Sequence, residues 1–137
     1  MGRLLAIDYG QRRCGIAATD TLQITAQPVA TLSQGELLRW IQEYISRETV
    51  DKIIVGYPRD MHGNDSDSMR FITPALGRLR KALPGMEIVM WDERFTSVLA
   101  HRAMLEAGMT RTQRRDKEAV DRMAAVIILN SYLDSKK

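Results

Sequence analysis

One cysteine, Cys14, stands in a chain of 137 residues. That count excludes an intrachain disulfide and any cysteine-rich zinc site. The two histidines, His62 and His101, are isolated from one another and from other ligand types, so no His-based metal cluster is expected. No apolar run approaches the ~18 residues that a membrane-spanning helix needs. The opening MGRLLAID carries an acid too early for a secretory leader. The reducing cytoplasm, with no membrane partner, is therefore the expected setting. Repeats, linkers and low-complexity tracts are missing, as are a nucleophile elbow, a Walker A loop and a dinucleotide-binding fingerprint. What is present is ordinary globular material, 45% hydrophobic and 27% charged. The length suits one domain over residues 1–137, with a core of its own.

Charge is unevenly placed. The net value is +3, from 20 basic and 17 acidic residues. Residues 1–70 hold 8 basic and 9 acidic groups, and residues 71–137 hold 12 and 8. Arg111, Arg114, Arg115 and Lys117 form the densest cluster, with Asp116 as its only acid. Such a patch suits a phosphate-bearing partner, and equally a solvated loop.

The periodicity predicts three strands first, at 4–8, 14–19 and 24–32, with a turn at 10–13 and a hairpin turn at Asp20-Thr21. Pro28 places the third at a sheet edge, because proline has no N–H for a central ladder. Ser33 and Glu36 match a capping box. Leu37, Trp40, Ile41, Tyr44 and Ile45 then line one face of a helix. The run KIIVG at 52–56 reads as a parallel strand covered on both faces. A loop at 57–67 leads to a helix at 68–83, in which Pro74 marks a kink or the first turn of the main part. A strand at 87–91 follows. A further helix runs from a cap at Thr96 or Ser97 to Ala107, stopped by Gly108. The last helix covers 117–133. The order β-β-β-α-β-α-β-α-α fits one mixed five-stranded α/β sheet with helices on its faces.

The acids at strand ends carry the chemistry. Asp8 closes the apolar run Leu4-Leu5-Ala6-Ile7, where burying a carboxylate is costly unless it is paired or binds a metal. A tight turn at Asp8-Tyr9-Gly10 would also account for it. Asp92 and Glu93 end the last strand, and alternation sends their side chains to opposite faces, so at most one readily points where Asp8 points. Either could instead be a charge favoured before a helix N-terminus. Asp121 shares a helical face with Ala125, Ile128 and Tyr132, beside the small pair Ala124-Ala125 that permits close approach to the sheet. On that inward face it needs a partner: a metal, or a salt bridge from Arg114, Arg115 or Lys117. Oxygen-only ligation from separate elements suits Mg²⁺ or Mn²⁺. Two such ions on shared carboxylates polarise a phosphodiester and stabilise its leaving oxygen.

Four segments carry a family likeness. They are Leu5-Ala6-Ile7-Asp8-Tyr9-Gly10 with Gly15-Ile16-Ala17; Ile53-Ile54-Val55-Gly56-Tyr57-Pro58 with Met61-His62-Gly63; Asp92-Glu93-Arg94-Phe95-Thr96-Ser97; and residues 117–125 (KEAVDRMAA). Together, in this order and spacing, they resemble the YqgF (RuvX) family over nearly the whole chain. The resemblance implies an RNase H-like fold with strand order 3-2-1-4-5, the first three strands an antiparallel meander. It implies a bacterial cytoplasmic protein of a kind described as a candidate Holliday-junction resolvase and as a candidate nuclease maturing the 5′ end of pre-16S rRNA. The family's acidic positions fall on Asp8, Glu93 and Asp121. Related resolvases have an acid at the end of the fourth strand; here that place reads Val55-Gly56-Tyr57-Pro58, so the second ligand comes from the fifth. Where the family often has Met-Asp-Gly, this chain has Met61-His62-Gly63, and His62 takes no role.

The reading is a divalent-metal-dependent endonuclease, using two Mg²⁺ or Mn²⁺ ions on structured RNA or branched DNA. Asp8 would bridge the metals, with Glu93 and Asp121 completing the set. Arg12, Arg13 and Arg94 would orient phosphates; Arg114, Arg115 and Lys117 would hold more distant backbone. Such contacts position nucleic acid without reading its sequence. The state is monomer or homodimer, two active sites being needed to resolve a junction. The rival is a non-catalytic nucleic-acid or ribosome-assembly binding protein on the same fold. An actin-like or sugar-kinase ATPase also has Asp-x-Gly after its first strand, but needs a second domain for which the length leaves no room.

Overall fold

Seven residues, Arg3–Tyr9, form β1, and six of them are buried. That density of burial is what a central strand requires, and β1 lies at the middle of the sheet, in the order β3-β2-β1-β4-β5. The computed structural model describes residues 2–10, 13–57, 69–93 and 117–136, the side chains of Phe71 and Lys117 excepted. β2 (Arg13–Thr19) and β3 (Ala26–Ser33) complete an antiparallel meander with β1. β4 (Val50–Tyr57) and β5 (Glu87–Asp92) add on the other side in parallel. The helices among the described residues are α1 (Gln34–Arg47), α2 (Met69–Ala82) and α3 (Lys117–Ser135). The predicted helix near 96–107 and most of the basic cluster lie outside the described residues.

Two cores result from strand alternation. On one face Leu5, Ile7, Ile16, Ile53 and Val55 pack against Leu37 and Ile41 of α1 and Ile72, Leu76 and Leu79 of α2. On the other, Leu4, Ala6, Ala17 and Ile54 meet α3 through Ala124, Ala125, Ile128, Leu129 and Tyr132. Each fully buried Leu or Ile stabilises the fold by roughly 1.5–3 kcal/mol relative to exposure. α3 therefore has one sheet face to itself within the described structure, and the even-numbered residues of β1 point at it.

Three local details differ from expectation. The hairpin between β2 and β3 is not a two-residue turn: one Asp20 oxygen accepts from the N–H groups of Ile24 and Thr25, both at 2.8 Å, and its other oxygen accepts from Leu22 N–H at 3.1 Å. These bonds hold residues 20–25 as a loop, so β3 starts at Ala26 and Ile24 stays exposed. The capping pair meets side chain to side chain, Ser33 Oγ to Glu36 Oε1 at 2.7 Å, with no side-chain bond to the helix N–H groups. Pro74 lies within α2, and the helix runs through it to Ala82.

Candidate functional site

Asp8 sits between Ile7 and Tyr9, which belong to the α1/α2 core. Alternation turns its side chain to the α3 face, and the residue is 6% exposed. Its two neighbours across the ladders are both glycines, Gly15 on β2 and Gly56 on β4. A carboxylate in the central strand is thus flanked on each side by a position without a side chain.

Each glycine is overlain by part of another acidic residue. A Cβ on Gly15 would collide with the backbone carbonyl of Asp121, so the first turns of α3 rest directly on β2. A Cβ on Gly56 would collide with Ile128 of α3 and would lie 3.5 Å from Glu93 Oε1. Glu93 therefore reaches the α3 face beside Asp8. The alternation along β5 agrees: Val89 and Trp91 pack into the α3 core, Ile88 and Met90 into the opposite one. Asp92 falls on the α1/α2 side. Both acids are buried, at 4% for Asp92 and 8% for Glu93.

Asp121 is on the same face, its side chain 14% exposed, and it accepts a hydrogen bond from Arg13 Nε at 2.7 Å. None of the cations expected to pair with it is this partner; the arginine comes from the start of β2, and nothing local in the sequence announces the contact. Backbone bonds fix Arg13: Gly10 N–H donates to its carbonyl at 3.0 Å, and its Cα pairs with Ser33. In the first turns of α3, Thr31 Oγ1 donates to the Glu118 carbonyl at 2.7 Å and accepts from Arg122 at 3.2 Å. The start of α3 is thereby fastened to the β2–β3 hairpin.

The Cys14 thiol registers the field of this cluster. Burial pushes its pKa up to about 12, a backbone hydrogen bond from Gly10 opposes the rise, and the nearby charges of Asp8 and Asp121 add to it. Cys14 is therefore a neutral core group with no nucleophilic character at ordinary pH.

The donor set fits a hard divalent cation in chemistry, being oxygen-only. Among the described residues, no three His, Cys, Asp or Glu side chains are grouped so as to hold an ion. Of the expected phosphate contacts, Arg13 is in the site. Arg12, Arg94, Arg114 and Arg115 lie outside the described residues, as does the side chain of Lys117.

A cavity of about 490 Å³ lies at the other end of the sheet, lined by Leu4, Leu22, Ile24, Lys52, Tyr132 and Lys136 among others. Its size does not make it the site. Its cations are spent on Tyr132: Lys52 Nζ is 3.3 Å from the phenol oxygen, and Lys136 sits 5.1 Å from the ring centroid. No helix among the described residues is long and apolar enough to cross a membrane.

Comparison with known proteins bears on the family and the fold. A "Putative pre-16S rRNA nuclease" of Parabacteroides distasonis is 49% identical over 137 residues, covering 100% of this chain and 98% of that protein. A protein of the same description from Bacteroides fragilis is 48% identical, with 100% and 99% covered. Among solved structures, Thermus thermophilus RuvC in complex with a Holliday junction substrate superposes with a TM-score of 0.62 at 14% identity, covering 99% of this chain and 96% of that one. That likeness establishes the RNase H-like fold. The model of the family described as "RuvX: Holliday junction resolvase" matches residues 2–135, and the chain belongs to that family.

Proposed function

We propose that this protein is a divalent-metal-dependent endonuclease that hydrolyses phosphodiester bonds in structured nucleic acid in the bacterial cytoplasm, its substrate being the 5′ end of pre-16S rRNA. The observation that carries the reading is the pair of glycines beside Asp8, with Glu93 over one and Asp121 over the other. Packing of α3 accounts for the glycines, but not for acids from β1, β5 and α3 on the same face. The relatives named as pre-16S rRNA nucleases, at nearly half identity over the full length, support the substrate class.

Asp8, Glu93 and Asp121 would hold the cation, which supplies Lewis-acid polarisation of the phosphodiester when bound. Asp8 is positioned by the central strand and cannot shift without disturbing two ladders. Glu93 approaches from β5, and Asp121 from a helix that can rest on β2 only because Gly15 has no side chain. Arg12, Arg13 and Arg94 would orient the phosphate, and Arg114, Arg115 and Lys117 would grip backbone further off. These are contacts to phosphate, so recognition follows the shape of the nucleic acid.

The test is cleavage of precursor 16S rRNA and of a four-way DNA junction, with and without Mg²⁺ or Mn²⁺, by the wild type and by Asp8→Asn. The expected result is metal-dependent cleavage of the RNA, lost in Asp8→Asn with binding retained. Cleavage of the junction alone would assign the substrate to branched DNA. Binding without turnover on either substrate would sink the enzyme reading in favour of a non-catalytic binding protein, which the engagement of Asp121 by Arg13 also fits.

A further inference from the structure

The Arg13–Asp121 pair joins two residues that the fold anchors by their backbones. Asp121 is pinned where its carbonyl rests on Gly15. Arg13 is pinned by Gly10 and by its pairing with Ser33. Both backbones are held by these contacts, so the direct way to open the pair is side-chain rotation. The two side chains are unequally exposed, 34% for Arg13 and 14% for Asp121. Rotation is therefore available mainly to the arginine, which has solvent on its outer side. Its Nε holds Asp121 Oδ2 at 2.7 Å, at one of the three acids proposed to take the ion.

We propose that Arg13 is a positioning residue that competes with a divalent cation for Asp121, releasing it when a backbone phosphate of the substrate draws the guanidinium away. This rests on the metal-dependent reading above and deepens it. The guanidinium neutralises Asp121 in the substrate-free protein. An incoming phosphate offers its planar guanidinium a pair of oxygens, the bidentate anion arginine prefers. Asp121 is then handed to the site, and metal and nucleic acid bind cooperatively through the exchange.

The experiment is calorimetric titration of Mn²⁺ into the wild type, Arg13→Gln, Asp121→Asn and the double variant, with folding of each checked by circular dichroism. Loss of a charge-assisted hydrogen bond that competes with the ion predicts about tenfold tighter Mn²⁺ binding in Arg13→Gln. A merely structural role would weaken binding. In the Asp121→Asn background the Arg13 substitution is expected to have no further effect. An RNA duplex is expected to tighten Mn²⁺ binding in the wild type and not in Arg13→Gln. Equal or weaker Mn²⁺ affinity in Arg13→Gln, a tightening that persists without Asp121, or equal coupling to RNA in both proteins would overturn the competition while leaving the metal site standing. Absence of Mn²⁺ binding in every variant would overturn the metal-dependent reading itself, and the competition with it. Should Arg13→Gln fail to fold, Arg13→Lys, which keeps the charge but loses the Nε geometry, is expected to bind Mn²⁺ more tightly than wild type by a smaller factor.

Discussion

Gly15 lies directly against the backbone carbonyl of Asp121, so close that a methyl group has no place between strand and helix. The obstacle is backbone, which cannot rotate aside. Gly15→Ala is therefore expected to lift the start of α3 and cost about 3 kcal/mol. Gly56→Ala meets the Cδ1 end of Ile128, a side chain able to give way, and is expected to cost about 1 kcal/mol. Urea denaturation of the two variants checks the order, and a larger loss at Gly56 would contradict it.

Glu93 and Asp92 adjoin in sequence but belong to opposite faces. Glu93→Gln is expected to abolish cleavage while leaving nucleic-acid binding intact. Asp92→Asn is expected to retain most activity, with its cost showing in stability, since it is buried on the α1/α2 side. Single-turnover cleavage rates beside melting temperatures distinguish the two. A reversed pattern would move the second ligand by one residue.

The basic cluster makes a prediction in salt. Each phosphate contact releases counterions, so log affinity falls with log salt by roughly 0.7 to 0.9 per contact. Replacing Arg114 and Arg115 together with Ala is expected to flatten that slope by about 1 to 2 units, about equally across sequences. A lowered melting temperature with an unchanged slope would instead mark these arginines as internal salt-bridge partners.

Cys14 predicts a pH effect. Its folded pKa of about 12 lies above the ordinary thiol value of 9.0. The native state therefore keeps a proton that the unfolded chain loses above pH 9, and stability falls as pH rises from there toward 12. Between pH 8 and 10 the loss is about 1 kcal/mol. Cys14→Ala is expected to remove this part of the alkaline decline, read as the difference between the two proteins' denaturation midpoints at each pH.

Much of this was legible because strand ends announce themselves. Leu4-Leu5-Ala6-Ile7-Asp8 and the run closing at Trp91-Asp92-Glu93 each read as apolar segments stopped by acid; β5 does end at Asp92, whereas β1 continues one residue past Asp8 to the buried Tyr9. The inward stripe of Asp121, Ala125, Ile128 and Tyr132 was a matter of helical spacing, and its three apolar members are buried in the α3 core. The choice between Asp92 and Glu93 was not legible from the residues alone. It depends on which face Trp91 takes, and that is settled by packing against Tyr132 and Ser131 of α3. The Arg13–Asp121 contact was hidden for a related reason: its members are 108 positions apart, and only the register of β2 under α3 brings them together. Gly15, ordinary hairpin chemistry as a sequence feature, becomes a packing necessity once α3 lies on it. The loop at 20–25 was misjudged because an aspartate that accepts several backbone N–H groups favours a longer turn than its neighbours suggest.

The sharing of one patch by β1 and α3 also bears on how the protein is made. Asp121 is synthesised more than a hundred residues after Asp8. A growing chain can pair β1, β2 and β3 early, but until α3 is out it lacks the third acid and leaves Leu4, Ala6, Ala17 and Ile54 uncovered. Covering that apolar face and completing the acidic patch are one event. On the proposed reading, the order of translation thus leaves a half-made chain without a complete site.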